Sequence, residues 1–225
     1  MQRRSYLRAT AAVGTVGATA GCLNGLLDSG PETVVLGEPE TQMAESSQLA
    51  YPAYGEPFPE FTLPRPFDDE PFSSADVEVP ALYTAFYAFC PAECLLLMGS
   101  FANIQATLAE RDRLDDALLV AITFDPERDT PAELDAHAEE TGIKHEHDSW
   151  QYLRPESETR AKEVVEEKLG IGFEKTGGGD AYEFTHLVIT FLVNPDGVVE
   201  RAYRGEQLDV EGVVADFETV IDAYA

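Results

Sequence analysis

An apolar and aromatic run from Val79 to Phe89 stops at Cys90-Pro-Ala-Glu-Cys94, and helical apolar spacing then takes over at Leu97, Phe101, Ile104 and Leu108. The pattern is a buried strand that turns straight into a helix, with two thiols at the junction. Residues four apart share a helix face, so both sulfurs are expected to point the same way, with Cα atoms about 6 Å apart. A pair so placed can exist as dithiol, disulfide or metal site. A bridge over a single turn closes too small a loop to stabilise a fold much, which disfavours a purely structural disulfide. The positive end of the helix favours a thiolate at Cys90. With His186 brought to face them, Cys90 and Cys94 would make a soft three-donor set suited to copper.

The rest of the chain reads as strands and helices in alternation. Phe58 to Leu63 and Pro71-Phe72 flank Asp68-Asp69-Glu70 and suggest a short amino-terminal hairpin. Ala117 to Phe124 is a second buried strand. Thr130-Pro131-Ala-Glu133 opens a helix, with Thr130 as cap, Pro131 at the first position and Glu133 able to complete a capping box. A short segment around His145 to Leu153 precedes a helix over Glu156 to Leu169. Leu187 to Val193, the turn Asn194-Pro-Asp-Gly197 and Val198 to Tyr203 read as strand, turn and strand, and Asp209 to Tyr224 as the closing helix. The stretch before His186 contains Gly177-Gly178-Gly179 and reads as a long mobile loop that would let the imidazole approach or leave the sulfurs. This order gives an α/β fold, a thioredoxin-like sandwich with a mixed central sheet and an amino-terminal hairpin.

Ahead of that domain, Arg3-Arg4 and the uncharged stretch from Ala9 to Gly21 mark a twin-arginine export signal. The stretch is short of the ~20 apolar residues that a membrane span needs. Cys22 follows Thr19-Ala20-Gly21, small residues of the kind a lipoprotein processing site uses, and is expected to be lipidated, with the protein anchored to the outer face of the cell membrane. The expected organisation is a signal with its lipoprotein cysteine over 1–22, a flexible acidic linker over 23–50 and one domain over 51–225. The formal net charge is −27 and there are four lysines, Lys144, Lys162, Lys168 and Lys175. That balance excludes nucleic acid as the main partner. Hydrophobic residues at 44% still suffice for a core, so the acids read as a solvated, salt-tolerant surface of the halophilic kind.

Phe89-Cys90-Pro-Ala-Glu-Cys94, the segment Phe124-Asp125-Pro126-Glu127-Arg128-Asp129-Thr130-Pro131, Trp150, and His186 followed by Phe191 to Gly197 together resemble the Sco/SenC family. The resemblance runs over essentially the whole domain from about Phe58. It implies an extracytoplasmic, membrane-anchored, thioredoxin-like protein that binds copper, Cu(I) or Cu(II), through Cys90, Cys94 and His186. It further implies work on the dinuclear copper site of cytochrome oxidase, as copper donor, thiol reductant or both. The implied partners are the copper-bearing oxidase subunit and other copper carriers or thiol reductants. Two positions depart from the family pattern: Leu95 stands where a proline is usual, and Thr185 replaces the acidic residue before the histidine.

The competing class is an enzyme, a thiol-disulfide oxidoreductase or peroxiredoxin-like protein with Cys90 as nucleophile and Cys94 as resolving thiol. Against it, thioredoxin enzymes carry CxxC and a cis-proline facing the thiols, and a peroxidase needs a threonine and an arginine around the nucleophile. His145 and His147, two apart, could share a strand face and bind metal; flanked by Glu146 and Asp148, they read as exposed, solvated histidines. Met98 reads as core filling, and Asp125 and Asp129 as turn and capping residues.

Overall fold

The computed structural model describes residues 34–39, 46–90, 93–179 and 181–225. The export signal, Cys22 and most of the expected linker lie outside them. Among the described residues no helix is long and apolar enough to cross a membrane.

The core is a five-stranded mixed sheet. Its strands are β3 (Ala81–Phe86), β4 (Leu118–Thr123), β5 (Trp150–Leu153), β8 (Ile189–Val193) and β9 (Val199–Arg204), in the spatial order β5-β4-β3-β8-β9. The first three run parallel, while β8 lies antiparallel to both β3 and β9. Every residue of β3 and of β8 is buried, which is why both read as continuous apolar runs and not as alternations. Thr84, a polar side chain in this layer, is bonded to the Ile189 carbonyl at 3.0 Å. Helices α1 (Glu93–Glu110), α2 (Pro131–Thr141) and α4 (Val210–Tyr224) complete the sandwich, with α1 packed on both α2 and α4. Thr130 caps α2 as expected, its hydroxyl accepting from the Glu133 N–H at 3.3 Å, and Gly142 ends the helix in the left-handed conformation. The amino-terminal hairpin is present as β1 (Thr62–Leu63) paired antiparallel with β2 (Phe72–Ser73).

Three features differ from the sequence reading. The expected helix over Glu156 to Leu169 is α3 (Glu158–Ala161) running into a π-helical turn over Lys162–Lys168. The Leu169 N–H reaches back five residues to Val164, and the wider turn buries Val164 and Val165 together. The glycine-rich loop before His186 is a two-stranded antiparallel ribbon, β6 (Phe173–Thr176) against β7 (Glu183–His186), with Phe173 opposite His186. Among the described residues this ribbon pairs with no other strand.

The third difference is at the entry to the domain. Within the span read as a linker, Leu36 is buried, and the backbone N–H groups of Val35 and Leu36 donate to the fully buried Glu200 carboxylate of β9 at 2.9 Å each. Asn194 donates to the same carboxylate at 2.7 Å. Further along, the Ala50 carbonyl passes so close to Gly170 that a Cβ there would lie 2.0 Å from it, and Gly170 is also at φ +65°. A carboxylate without partners in the sheet would be costly to bury, so these backbone donors fasten the segment down.

Candidate metal centre

β3 ends at Phe86, and the chain turns through Tyr87 to Phe89 before Cys90. Cys90 precedes helix α1, as expected, while Cys94 is the second residue of Glu93–Glu110 and not one turn deeper. The two thiols converge through a capping contact: the Cys94 N–H donates to Cys90 Sγ at 3.2 Å. An N–H aimed at sulfur solvates a thiolate, the form that coordinates metals and attacks disulfides. Cys94 is 1% exposed and Cys90 9%, and no disulfide joins them.

His186 closes the third side. Its Nε2 lies 3.5 Å from Cys94 Sγ, and its Nδ1 lies 3.1 Å from the Leu187 carbonyl oxygen. A carbonyl can only accept, so Nδ1 carries the proton and Nε2 presents its lone pair to the sulfurs. The ring is fixed laterally by Phe124, at 5.2 Å between centroids, and edge-on by Tyr87 at 6.0 Å. Burial pushes the Tyr87 hydroxyl well above the usual phenol range, with the nearby thiols adding to the effect.

All three donor atoms lie within 4.8 Å of one another. A trigonal site with metal–ligand bonds near 2.2 Å separates its donors by roughly 3.8 Å. Contraction by about an ångström therefore turns this cluster into a coordination sphere, and its donor set is soft. Among the described residues no other group of three His, Cys, Asp or Glu side chains lies close enough to hold an ion. Exposed apolar side chains lie close to the donors along the chain: Phe89, Leu95, Leu96 and Leu187. Leu95, in place of a proline, sits in regular helix, and Thr185 is exposed on β7.

The other candidates fall elsewhere. His145 is not solvated: its side chain is 11% exposed, its ring lies tilted against Phe67 at 4.7 Å between centroids, and it is bonded to Asp135 at 2.9 Å. His147 is half-buried and bonds Ser149 at 2.9 Å. Met98 is fully buried in the core. His137, which the pattern did not single out, is buried against Phe86 and bonds the Tyr152 hydroxyl at 3.1 Å; burial pulls it down to about 4 and keeps it neutral.

Asp125 and Asp129 do more than shape a turn. Asp129 is fully buried and accepts from the Thr123 hydroxyl and, at 3.1 Å, from the Ala88 N–H, two residues before Cys90. Asp125 pairs with Arg128 Nε at 2.5 Å and accepts from the Tyr182 hydroxyl at 2.7 Å. These contacts reach 41 and 57 residues along the chain, beyond any local pattern.

The profile of the SCO1/SenC family matches residues 59–222. No curated protein sequence matches the chain. Among solved structures, the chain is similar to a SCO1/SenC family lipoprotein from Bacillus anthracis, with 19% identity, a TM-score of 0.62 and coverage of 73% of this chain and 94% of that one. It is similar to Arabidopsis thaliana ScoI with copper bound, at 23% identity and TM-score 0.59, covering 71% and 97% of the two chains. BsSco, described as a member of the Sco family of cytochrome c oxidase assembly proteins with a disulfide switch, gives 21% identity and TM-score 0.62 over 76% and 96%. At these identities the likenesses carry the thioredoxin-like fold alone, whereas the profile spans nearly the whole domain with the two cysteines and the histidine inside it. The chain belongs to the SCO1/SenC family.

Proposed function

We propose that this protein carries copper to the dinuclear copper site of cytochrome oxidase, holding the ion through Cys90, Cys94 and His186. The observation that carries this reading is the cluster itself: two thiol sulfurs and one imidazole nitrogen, its tautomer set by the Leu187 carbonyl, within 4.8 Å on a SCO1/SenC domain. Copper is the cargo. Low-coordinate Cu(I) suits two thiolates and an imidazole, and partial exposure of His186 leaves one side of the site open to a receiving protein. The similarity to a copper-bound ScoI and to a cytochrome c oxidase assembly protein supports the same assignment.

In this reading the chain is exported through the twin-arginine signal of 1–22 and anchored by lipidated Cys22 to the outer face of the membrane. The lipoprotein similarity supports that location. Its partners are the copper-bearing oxidase subunit and the carriers or reductants that load it. A second role, reduction of the receiving site's thiols, is favoured by the N–H donated to Cys90 Sγ, which supports the thiolate that such chemistry needs.

Anaerobic copper titration of the reduced protein at high salt tests the proposal. One copper per chain is expected, with binding weakened at least about 100-fold in Cys90→Ser, Cys94→Ser and His186→Ala. Equal copper retention by His186→Ala would remove that ligand. Efficient reduction of insulin disulfides by the metal-free protein would promote the oxidoreductase role instead.

A further inference from the structure

The ribbon that carries His186 owes its position to side chains. β6 and β7 pair only with each other among the described residues, and their root is the Leu187 N–H bonded to the Gly172 carbonyl at 2.9 Å, just before the chain enters β8. Aromatic contacts press Phe173 and Phe184 on Phe124, but flat rings slide more easily than directional bonds break. Beside a long bond from the Phe184 N–H to the Tyr87 hydroxyl at 3.5 Å, the directional contacts centre on one residue. Arg128 Nη1 donates to the Tyr182 carbonyl at 2.8 Å, and its guanidinium carbon lies 3.7 Å from the centre of the Tyr182 ring. Arg128 Nε meets Asp125 at 2.5 Å, and the other oxygen of that carboxylate accepts from the Tyr182 hydroxyl at 2.7 Å. Tyr182 lies four residues before His186. The same guanidinium lies 5.2 Å from the Phe89 ring and 5.8 Å from that of Tyr87, the two aromatics of the turn into Cys90.

We propose that Arg128 is a positioning residue that locks the His186 ribbon against the thiol turn, so that the imidazole meets the two sulfurs only while the Asp125–Arg128–Tyr182 cluster is closed. Only a planar fork can stack on a ring, reach a carbonyl and pair with a carboxylate at once. Lys175 of β6 also sits 3.6 Å from the Tyr182 ring centre and comes within 3.8 Å of Glu127, but that carboxylate is largely exposed and such a solvated ion pair holds the ribbon weakly. The metal arm of the test rests on the copper reading above, and the exchange arm does not.

Hydrogen exchange of the metal-free protein is the first arm. Arg128→Gln should speed exchange of the 173–176 and 183–186 amides at least about tenfold and leave those of 81–86 and 118–123 unchanged. Arg128→Lys should behave like Gln, because it keeps the charge and loses the fork. The second arm is copper titration of Arg128→Gln, His186→Ala and the double variant. Arg128→Gln alone should weaken binding about 10- to 100-fold and add less than about twofold on top of His186→Ala, since both act through one ligand. Unchanged ribbon exchange in Arg128→Gln, full rescue by Arg128→Lys, or additive losses in the double variant would overturn the proposal. Should Arg128→Gln also lose protection in the sheet, Arg128→Lys carries the same test. A wild-type chain that binds no copper would defeat the copper reading and leave exchange to decide this one.

Discussion

The two halves of the candidate centre are built in different ways. The thiols sit where β3 turns into α1, at the middle of a five-stranded sheet, and their geometry comes from the main chain: a tight turn, a helix start and one N–H to sulfur. The imidazole arrives on a ribbon outside that sheet, held by rings, by the Asp125–Arg128–Tyr182 cluster and by weaker contacts to Tyr87 and Glu127. Main-chain geometry at a buried junction changes only when the core changes. A ribbon held by side chains can open while the core stays folded. One site thus combines a donor pair placed by the main chain with a donor placed by side chains.

Phe124→Ala is the substitution most able to break this contrast, because the ring touches both halves: Tyr87 at 5.4 Å between centroids on one side, Phe173, Phe184 and His186 at 4.8, 5.2 and 5.2 Å on the other. Loss of so buried a ring should cost about 3–5 kcal/mol in denaturant unfolding. A cost under about 1 kcal/mol would mean that the two halves are not joined there.

Asp129→Asn sharpens the thiol side. Burial raises this carboxyl to about 7, against hydrogen bonds from Thr123 and Ala88 that pull it down. The fold therefore takes up a proton at Asp129 that the unfolded chain has already released. Stability from this group is complete below the ordinary carboxylate range near pH 4 and is lost as pH rises through about 7. Relative to Asp129→Asn, the wild type should lose roughly 2–4 kcal/mol between pH 4 and pH 8. Urea midpoints at the two pH values check this, and parallel pH profiles for the two proteins would contradict it.

Tyr182→Phe is the mildest test and addresses the ribbon alone. Losing the bond to Asp125 should cost about 1 kcal/mol, visible as faster exchange in 183–186 with the sheet unaffected. An equal loss of protection in β3 would show that ribbon and core open together.

The thiol half was legible in the sequence and the ribbon half was not. A continuous apolar run into CxxxC and a helical period marks a buried strand, a turn and a helix wherever it occurs, and Thr130-Pro131 and Asn194 to Gly197 likewise act through their own backbone. Asn194 Oδ1, for example, accepts from the Asp196 and Val198 N–H groups at 3.1 and 3.0 Å. The ribbon buries only Phe173 on one strand and Phe184 on the other, too few for a period of two to emerge, and three glycines at its tip suggested a loop. Glycines flanked by Glu-Lys-Thr and Tyr-Glu-Phe-Thr were the available hairpin signal. Asp125 and Asp129 looked like turn and capping residues because their partners, Tyr182 and Ala88, lie far along the chain. Cys90 was expected one helical turn from Cys94; a single backbone bond to sulfur achieves the same convergence from outside the helix.

The Glu200 carboxylate decides where this domain can be cut. A fragment trimmed to begin at residue 51, the boundary the composition suggests, would leave that carboxylate in the sheet with Asn194 as its remaining donor and would strip Leu36 from the hydrophobic surface it covers. A fragment beginning at Val34 keeps both, so the shortest stable version of this protein starts well inside what reads as spacer.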